Sequence, residues 1–310
     1  MPDIVVTEFM DEDAIRESLS GFDVAYDPTL VDRPDDLRAA LSGARALIVR
    51  NRTKVNAALL AAGPALRVVG RLGVGLDNID QPACQARGIT VIPATGANDV
   101  SVAEYVVATA MLLLRGAYGA TADVAAGTWP RGRLMGREIA GKRLGLVGFG
   151  SIARETAQRA AALGMRVRAH DPFLPADHPA WEQPGGRVAS LPLHDLVAGA
   201  DVLSLHVPLT DATRGLIDAR MLARMPKGAI LINAARGGVV DEAAVAQALR
   251  DGHLGGAALD VFDAEPLSAE AGAVFADCPN LILTPHIAGV TVESNVRVSR
   301  MIAKAVAEAL

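Results

Sequence analysis

The stretch RLGLVGFGSIARETAQRAAALGMRVRAHD, residues 143–171, decides the fold. It opens on an apolar, strand-like run, RLGLV, and breaks at GFGSIA, Gly148 to Ala153. A helical segment, IARETAQRAAALG, follows, and a second strand, MRVRAH, leads into Asp171. A bare glycine triplet occurs often by chance. Strand, glycine turn, helix, strand and terminal acid in this order form a β-α-β unit suited to a dinucleotide. Gly148 permits the tight turn, Gly150 lets a pyrophosphate approach the backbone, and Ala153 lets helix and strand pack closely. The pyrophosphate then meets free N–H groups at the helix start, those of Ser151 and Ile152. Asp171 is placed to accept both hydroxyls of the adenosine ribose. A carboxylate there repels a 2′-phosphate, and Pro172-Phe173 brings no arginine to compensate, so NAD is expected rather than NADP.

Working outward, the same β/α rhythm continues to the C-terminal side. VLSLHV, AILINAA, AALDVF and LILTPH read as further strands, with a helix over 241–250 among those between them. Toward the N-terminus DIVVTEF, FDVAYD, ALIVRN, LRVVGRL and ITVIPA read as five strands. EDAIRESLS, PDDLRAALSG and VNAALLAAG are the intervening helices, the last two ending in Gly as helices often do. Alternation of this kind implies parallel sheets covered by helices on both faces. NDVSVAEYVVATAMLLLRG is a long helix, apolar nearly all round, with Asn98 and Asp99 as caps and a capping-box spacing at Ser101 and Glu104. It bridges to the second domain through an irregular connection, TADVAAGTWPRGRLMGREIAGK. The final segment, Thr291 to Leu310, is helical and is expected to return to the first domain. The fold class is therefore α/β with two doubly wound parallel sheets.

Composition removes several classes of function. At 310 residues the chain has length for two cores, and 51% hydrophobic with only 4% aromatic residues favours α/β layering. A net charge of −5 offers no general basic surface, so no nucleic acid partner is expected. The N-terminus MPDIVVTEFMDED is acidic where a secretory signal is basic. The apolar run Val106 to Leu114 is far short of the ~20 residues that span a bilayer. No membrane association and a cytoplasmic location are expected. Cys84 and Cys278 form no CxxC pair, which fits a reducing compartment. No histidine pair has metal-ligand spacing, so no metal is expected.

The chemistry concentrates in three later stretches, LINAARGGVVDE, ALDVFDAEP and TPHIAG. They place Arg236, Glu265 and His286 each at or just past a strand-like run. A guanidinium, a carboxylate and an imidazole are what a site needs to hold a 2-keto acid and pass it a proton. With GFGSIA, and in this order and spacing, these motifs resemble the D-isomer-specific 2-hydroxyacid dehydrogenase family. The likeness extends to GRLGVGLDNID, NDVSVAEY and GTWPRGRLMGREIAGKRLG, so it covers essentially the whole chain.

The resemblance implies a Rossmann cofactor domain, residues 99–286, inserted in a flavodoxin-like substrate domain, residues 1–98 plus 287–310, with the active site in the cleft. It implies NAD-dependent interconversion of a D-2-hydroxy acid and its 2-keto acid. His286 becomes the general acid in ketone reduction, Glu265 fixes its tautomer, and Arg236 grips the substrate carboxylate. Further cofactor contacts are implied at His206, Val207 and Pro208, at Ala234, Ala235 and Arg236, and at Asp260, His286, Ala288 and Gly289. A homodimer is implied too, through the long helix and the TWPRGRLMG connection.

The substrate must be read elsewhere, because every 2-keto acid offers the same carboxylate and carbonyl. Arg50 and Arg52 in VRNRTKV follow a substrate-domain strand, and one of them is expected to meet a second anionic group. The loop around Gly73, Val74 and Gly75 is expected to present backbone N–H groups to a carboxylate. Two anionic ends fit 3-phosphohydroxypyruvate, 3-sulfopyruvate or a dicarboxylate. EFMDED and IPATGANDVSVAEY resemble sulfolactate dehydrogenases, and the end at Leu310 leaves no room for the regulatory domain of long phosphoglycerate dehydrogenases. A glyoxylate or hydroxypyruvate reductase and an NADH-sensing corepressor-like binding protein are the alternatives.

Overall fold

Each short apolar run becomes a strand because the helix after it covers one face, and parallel strands are buried on both faces. A computed structural model describes residues 1–310. In chain order, the elements up to residue 98 are β1 (Ile4–Val6), α1 (Glu12–Ser18), β2 (Val24–Tyr26), α2 (Pro34–Ala40), β3 (Ala46–Val49), α3 (Ala57–Ala62), β4 (Val68–Arg71), α4 (Gln81–Ala86) and β5 (Thr90–Pro93). Next come α5 (Asp99–Arg115), α6 (Thr121–Ala125), β6 (Arg143–Val147), α7 (Ser151–Ala162), β7 (Arg166–His170), β8 (Glu182–Gln183), β9 (Gly186–Arg187) and β10 (Ala189–Ser190). The series closes with α8 (Leu193–Gly199), β11 (Val202–Leu205), α9 (Ala219–Arg224), β12 (Ala229–Asn233), α10 (Glu242–Arg250), β13 (Leu254–Leu259), α11 (Ala269–Gly272), β14 (Leu281–Leu283) and α12 (Val292–Ala309).

The chain divides into two units, Met1–Asn98 with Val290–Leu310, and Asp99–Gly289. In the first, five parallel strands lie in the order β2-β1-β3-β4-β5, a flavodoxin-like arrangement. One face packs Leu37, Leu41, Leu60 and Ile89. The other packs Val298, Ile302 and Val306 of α12, which lies over β4. The C-terminal helix thus belongs to the N-terminal sheet.

In the second unit, seven parallel strands run β10-β7-β6-β11-β12-β13-β14. The order reverses at β6/β11, the switch point outside whose strand ends α/β sheets bind ligands. The central strands are buried at every position of β11 and β12. α5 and α7 cover one face, where Phe149 stacks on fully buried Trp181 at 4.7 Å. α8, α9 and α10 cover the other.

Some local expectations need correction. α5 starts at Asp99, so Ser101 lies inside its first turn rather than at a capping box, and Glu104 pairs with Arg159 at 3.9 Å. α5 is not covered all round either, since Met111 and Leu112 are exposed. A short helix not read from the sequence, α4, follows the Gly73–Gly75 loop and is capped by Asp80; its six residues carry no apolar period to read. The second crossing between units falls after Gly289 rather than at residue 286, because the Asp260 carboxylate holds Ile287 and Ala288. No single helix is long and apolar enough to cross a membrane.

Candidate active site and cofactor cradle

The glycine turn after β6 is shaped by its neighbour strand. Gly148 has φ +88°, and a Cβ there would sit 2.7 Å from the His206 carbonyl oxygen. Only glycine takes that backbone at that distance without strain. Gly150 then precedes α7 with no side chain capping the helix, and its Cα faces open space. The first N–H groups of α7, from Ser151 and Ile152, are left for an anion. Asp171 stands just beyond β7 and accepts from the Phe149 and Phe173 amides at 2.9 and 3.0 Å. Open turn, uncapped helix start and oriented carboxylate together fit a dinucleotide.

Beside this cradle, His206 follows β11, its ring bonded to Ser204 Oγ at 3.0 Å. Burial pushes its imidazole down to about 4, so the ring is neutral at pH 7. Val207 and Pro208 continue the same loop. The remaining histidines serve structure or the surface: His170 bonds the Leu191 carbonyl, His253 that of Leu222, and His178 caps a short turn.

The candidate proton-transfer residues come from adjacent strand exits. After β12, buried Asn233 shapes the turn through Ala234, accepting from the Ala235 amide and donating to the Arg236 carbonyl at 2.9 Å. Gly237 lies against the β13 exit so closely that a Cβ would fall 1.8 Å from the Phe262 carbonyl oxygen. That approach brings the Arg236 turn beside the loop carrying Glu265. The two Glu265 oxygens accept from the Phe262 amide at 3.1 Å and from His286 Nδ1 at 2.7 Å. Burial raises the Glu265 pKa, but the His286 hydrogen bond and charge, the Phe262 amide and the Arg236 charge together hold it below its ordinary value. The carboxylate stays ionised and fixes the proton on Nδ1, leaving His286 Nε2 for a ligand.

His286 itself has φ +55°, a left-handed conformation that costs a side-chain-bearing residue on the order of 1 kcal/mol. Asp260 holds it there. The His286 amide donates to the Asp260 carbonyl at 2.8 Å and to the Thr284 carbonyl at 3.0 Å. The Asp260 carboxylate accepts from the Thr284 hydroxyl at 2.6 Å and from the Ile287 and Ala288 amides at 2.8 Å. Tyr105 of α5 bonds the same Thr284 hydroxyl at 2.7 Å. Asp260, expected among the cofactor contacts, is 1% exposed and engaged in holding the imidazole loop, which runs on into Gly289. Sequence reading missed Asn233, Thr284 and Tyr105 as supports. All three lay inside quoted motifs, LINAARGGVVDE, TPHIAG and NDVSVAEY, but nothing local showed which partner each would meet.

In the N-terminal unit the two candidate anion readers differ. Arg52 is exposed and ion-paired with Asp32. Arg50 donates to the Asn295 side chain at 2.6 Å and lies 6.0 Å from the centre of the Phe9 ring. In the glycine loop, Gly73 donates its amide to the Arg71 carbonyl at 2.7 Å, and the Arg71 guanidinium folds over Gly73 to donate to the Leu72 carbonyl. The Gly73 amide is therefore spent within the loop. Val74 and Gly75 follow in the same β4–α4 segment.

Comparison with known proteins places these features. The D-isomer specific 2-hydroxyacid dehydrogenase, NAD binding domain, matches residues 107–288. The chain belongs to the D-isomer-specific 2-hydroxyacid dehydrogenases. It is 56% identical to the (S)-sulfolactate dehydrogenase of Chromohalobacter salexigens over 96% of this chain and 95% of that one. It is 43% identical to the D-3-phosphoglycerate dehydrogenase of Mycobacterium bovis, covering 90% of this chain but only 52% of that protein. Among solved structures, the TT0316 protein of Thermus thermophilus matches with a TM-score of 0.84 at 33% identity, covering 97% and 94% of the two chains. The D-lactate dehydrogenase of Aquifex aeolicus, complexed with NAD and lactic acid, matches at 0.83 and 28%, covering 98% and 94%. The chain is an NAD-dependent oxidoreductase that interconverts a 2-hydroxy acid and its 2-keto acid.

The depressed His206 pKa has a consequence for stability. Unfolded, the ring takes a proton near pH ~6.5, whereas folded it resists until about 4. Its contribution is intact above the unfolded value and is lost as pH falls between the two. Glu265, depressed below its ordinary carboxylate value, acts only at still lower pH. Denaturant unfolding at pH 7 and pH 5 should show a loss of stability that shrinks in His206→Gln. An equal loss in both proteins would mean that the ring is solvated.

Proposed function

We propose that the enzyme interconverts (S)-sulfolactate and 3-sulfopyruvate, using NAD in the oxidative direction. The near full-length identity of 56% to an (S)-sulfolactate dehydrogenase carries this reading. Configuration agrees with it. In lactate the carboxylate outranks the methyl group, but in sulfolactate the sulfur-bearing carbon outranks the carboxylate. The same spatial arrangement therefore changes its descriptor from R to S, and a D-specific site accepts (S)-sulfolactate with its carboxylate, hydroxyl and hydrogen in unchanged places. A second reading, 3-phosphoglycerate with 3-phosphohydroxypyruvate, is favoured by the 43% identity to a phosphoglycerate dehydrogenase, and it too requires a second anion.

The roles follow from the chemistry of the side chains. Gly148, Gly150, Ser151, Ile152 and Asp171 would hold the dinucleotide, which when bound would supply the hydride chemistry of the interconversion. Arg236 clamps the substrate carboxylate with a planar fork that matches a planar anion. His286, oriented at Nδ1 by Glu265, gives the Nε2 proton to the keto oxygen in reduction and takes it back in oxidation. Asp260 and Thr284 act through His286 by fixing its loop. Arg50 is our first choice for the distal sulfonate, since Asp32 already engages Arg52.

A homodimer accompanies this reading. Tyr118, Trp129 and Met135 in the connection after α5 are 67%, 74% and 84% exposed, and large apolar side chains exposed in one segment suit an interface that covers them. A second copy of the chain is the proposed occupant. A cytoplasmic location fits the free cysteines Cys84 and Cys278.

With NADH, 3-sulfopyruvate should be reduced with kcat/KM at least about tenfold above pyruvate, and 3-phosphohydroxypyruvate tests the second reading. A preference for pyruvate or glyoxylate would overturn both. His286→Ala and Arg236→Ala should each lose about a hundredfold or more in kcat/KM while a fluorescence titration shows that NADH still binds. Near-normal turnover in His286→Ala would remove it as the proton donor. Light scattering should give twice the monomer mass, and Trp129→Ser should shift it toward monomer; a monomeric parent protein would discard the patch as an interface.

A further inference from the structure

The N-terminal unit holds an acid where an anion site needs cations. Glu8, at the end of β1, is 4% exposed, and its carboxylate lies beneath the loop that carries Arg50 and Arg52. One oxygen accepts from the Arg50 amide at 2.9 Å and the Thr53 amide at 3.0 Å. The other accepts from the Arg52 amide at 3.1 Å. From the opposite side the Asn78 amide nitrogen donates to the Arg50 carbonyl at 3.0 Å and the Thr53 carbonyl at 2.7 Å. The hydroxyls of Thr7 and Thr53 join at 2.8 Å. The backbone of residues 50–53 is therefore gripped by its N–H groups from Glu8 and by its C=O groups from Asn78.

A buried carboxylate is costly unless hydrogen bonds satisfy it, and three backbone donors do so here. The same three bonds remove the amides of Arg50, Arg52 and Thr53 as ligands for any outside anion. Besides the Asn51 amide, the loop offers side-chain charge, above all the Arg50 guanidinium. Burial lowers the Arg50 pKa, and the Glu8 charge acts the other way. The Asn295 contact and the Phe9 ring fix its direction. A long side chain on an unbraced loop would have to be ordered by each substrate that binds, at a cost in affinity.

We propose that Glu8, with Asn78, is a positioning residue for substrate selection: it touches no substrate, but it sets the backbone from which Arg50 reads a second anionic group. The proposal rests on the second-anion reading given above. It separates selection from chemistry, because Glu8 has no part in the proton transfer at His286.

Glu8→Gln keeps the shape but puts an NH2 group against one or more of the three N–H donors, so at least one loses its acceptor. The expected result is a loss of about tenfold or more in kcat/KM for 3-sulfopyruvate, carried by KM, with pyruvate turnover and NADH affinity within about twofold of the parent. Glu8→Asp, which restores the charge with a shorter reach, should recover part of the selectivity. If Glu8→Gln does not fold, Asn78→Ala releases the loop from the other side and should give the same split. A parent protein that does not discriminate 3-sulfopyruvate or 3-phosphohydroxypyruvate from pyruvate would overturn the second-anion reading and this role with it. A discriminating parent whose variants keep the selectivity, or lose all substrates equally along with thermal stability, would overturn the positioning role alone.

Discussion

Most of the site hangs on one buried carboxylate, that of Asp260. It stands at the end of β13 and takes three hydrogen bonds from the loop that carries His286. Without those bonds the left-handed backbone at His286 would relax to an ordinary conformation, and the imidazole would leave Glu265. The Tyr105 hydroxyl reaches the same network through Thr284, so helix α5 and the loop after β14 share one polar cluster. Buried polar groups demand partners, and here that demand fixes a geometry.

The parallel sheet explains why the parts meet. All seven strands of the large sheet in the second unit point the same way, so every exit from that sheet opens on one edge. Asp171 after β7, the glycine turn after β6, His206 after β11, Arg236 after β12 and the Asp260 to Glu265 segment after β13 follow one another along that edge. The order of the strands converts residues far apart in the chain into neighbours. Gly237 then allows two exits to touch where any side chain would force them apart.

How much of this was legible depended on range. The cofactor cradle was readable because its residues follow each other within one β-α-β unit, and turn chemistry and helix start are local properties. Arg236, Glu265 and His286 could be picked out because each sits in a stretch of recognisable motif, although nothing local says that Glu265 meets His286 across 21 positions. Tyr105 and Thr284 are separated by 179 positions and Glu8 and Arg50 by 42, and no periodicity marks such pairs. The short helix α4 and the two-residue strand β10 were missed for a different reason: both are too short to show a period. The capping box assigned to Ser101 had the right spacing, but the helix begins two residues earlier.

The sequence by itself determined the α/β class, the β-α-β unit of a dinucleotide domain and the candidate site side chains, because these rest on local spacing and on residue chemistry. Only the tertiary structure decided the use made of Asp260, Glu8 and Arg71. Each is a charged residue at or near a strand end, and the sequence alone leaves open whether it faces a ligand or supports the chain. Folding assigns Asp260 and Glu8 inward, as acceptors for backbone N–H groups that would otherwise be buried unpaired, and lays Arg71 over its own glycine loop. Whether a buried charge supports the chain or meets a ligand depends on which donors and acceptors surround it, and those come from distant parts of the chain.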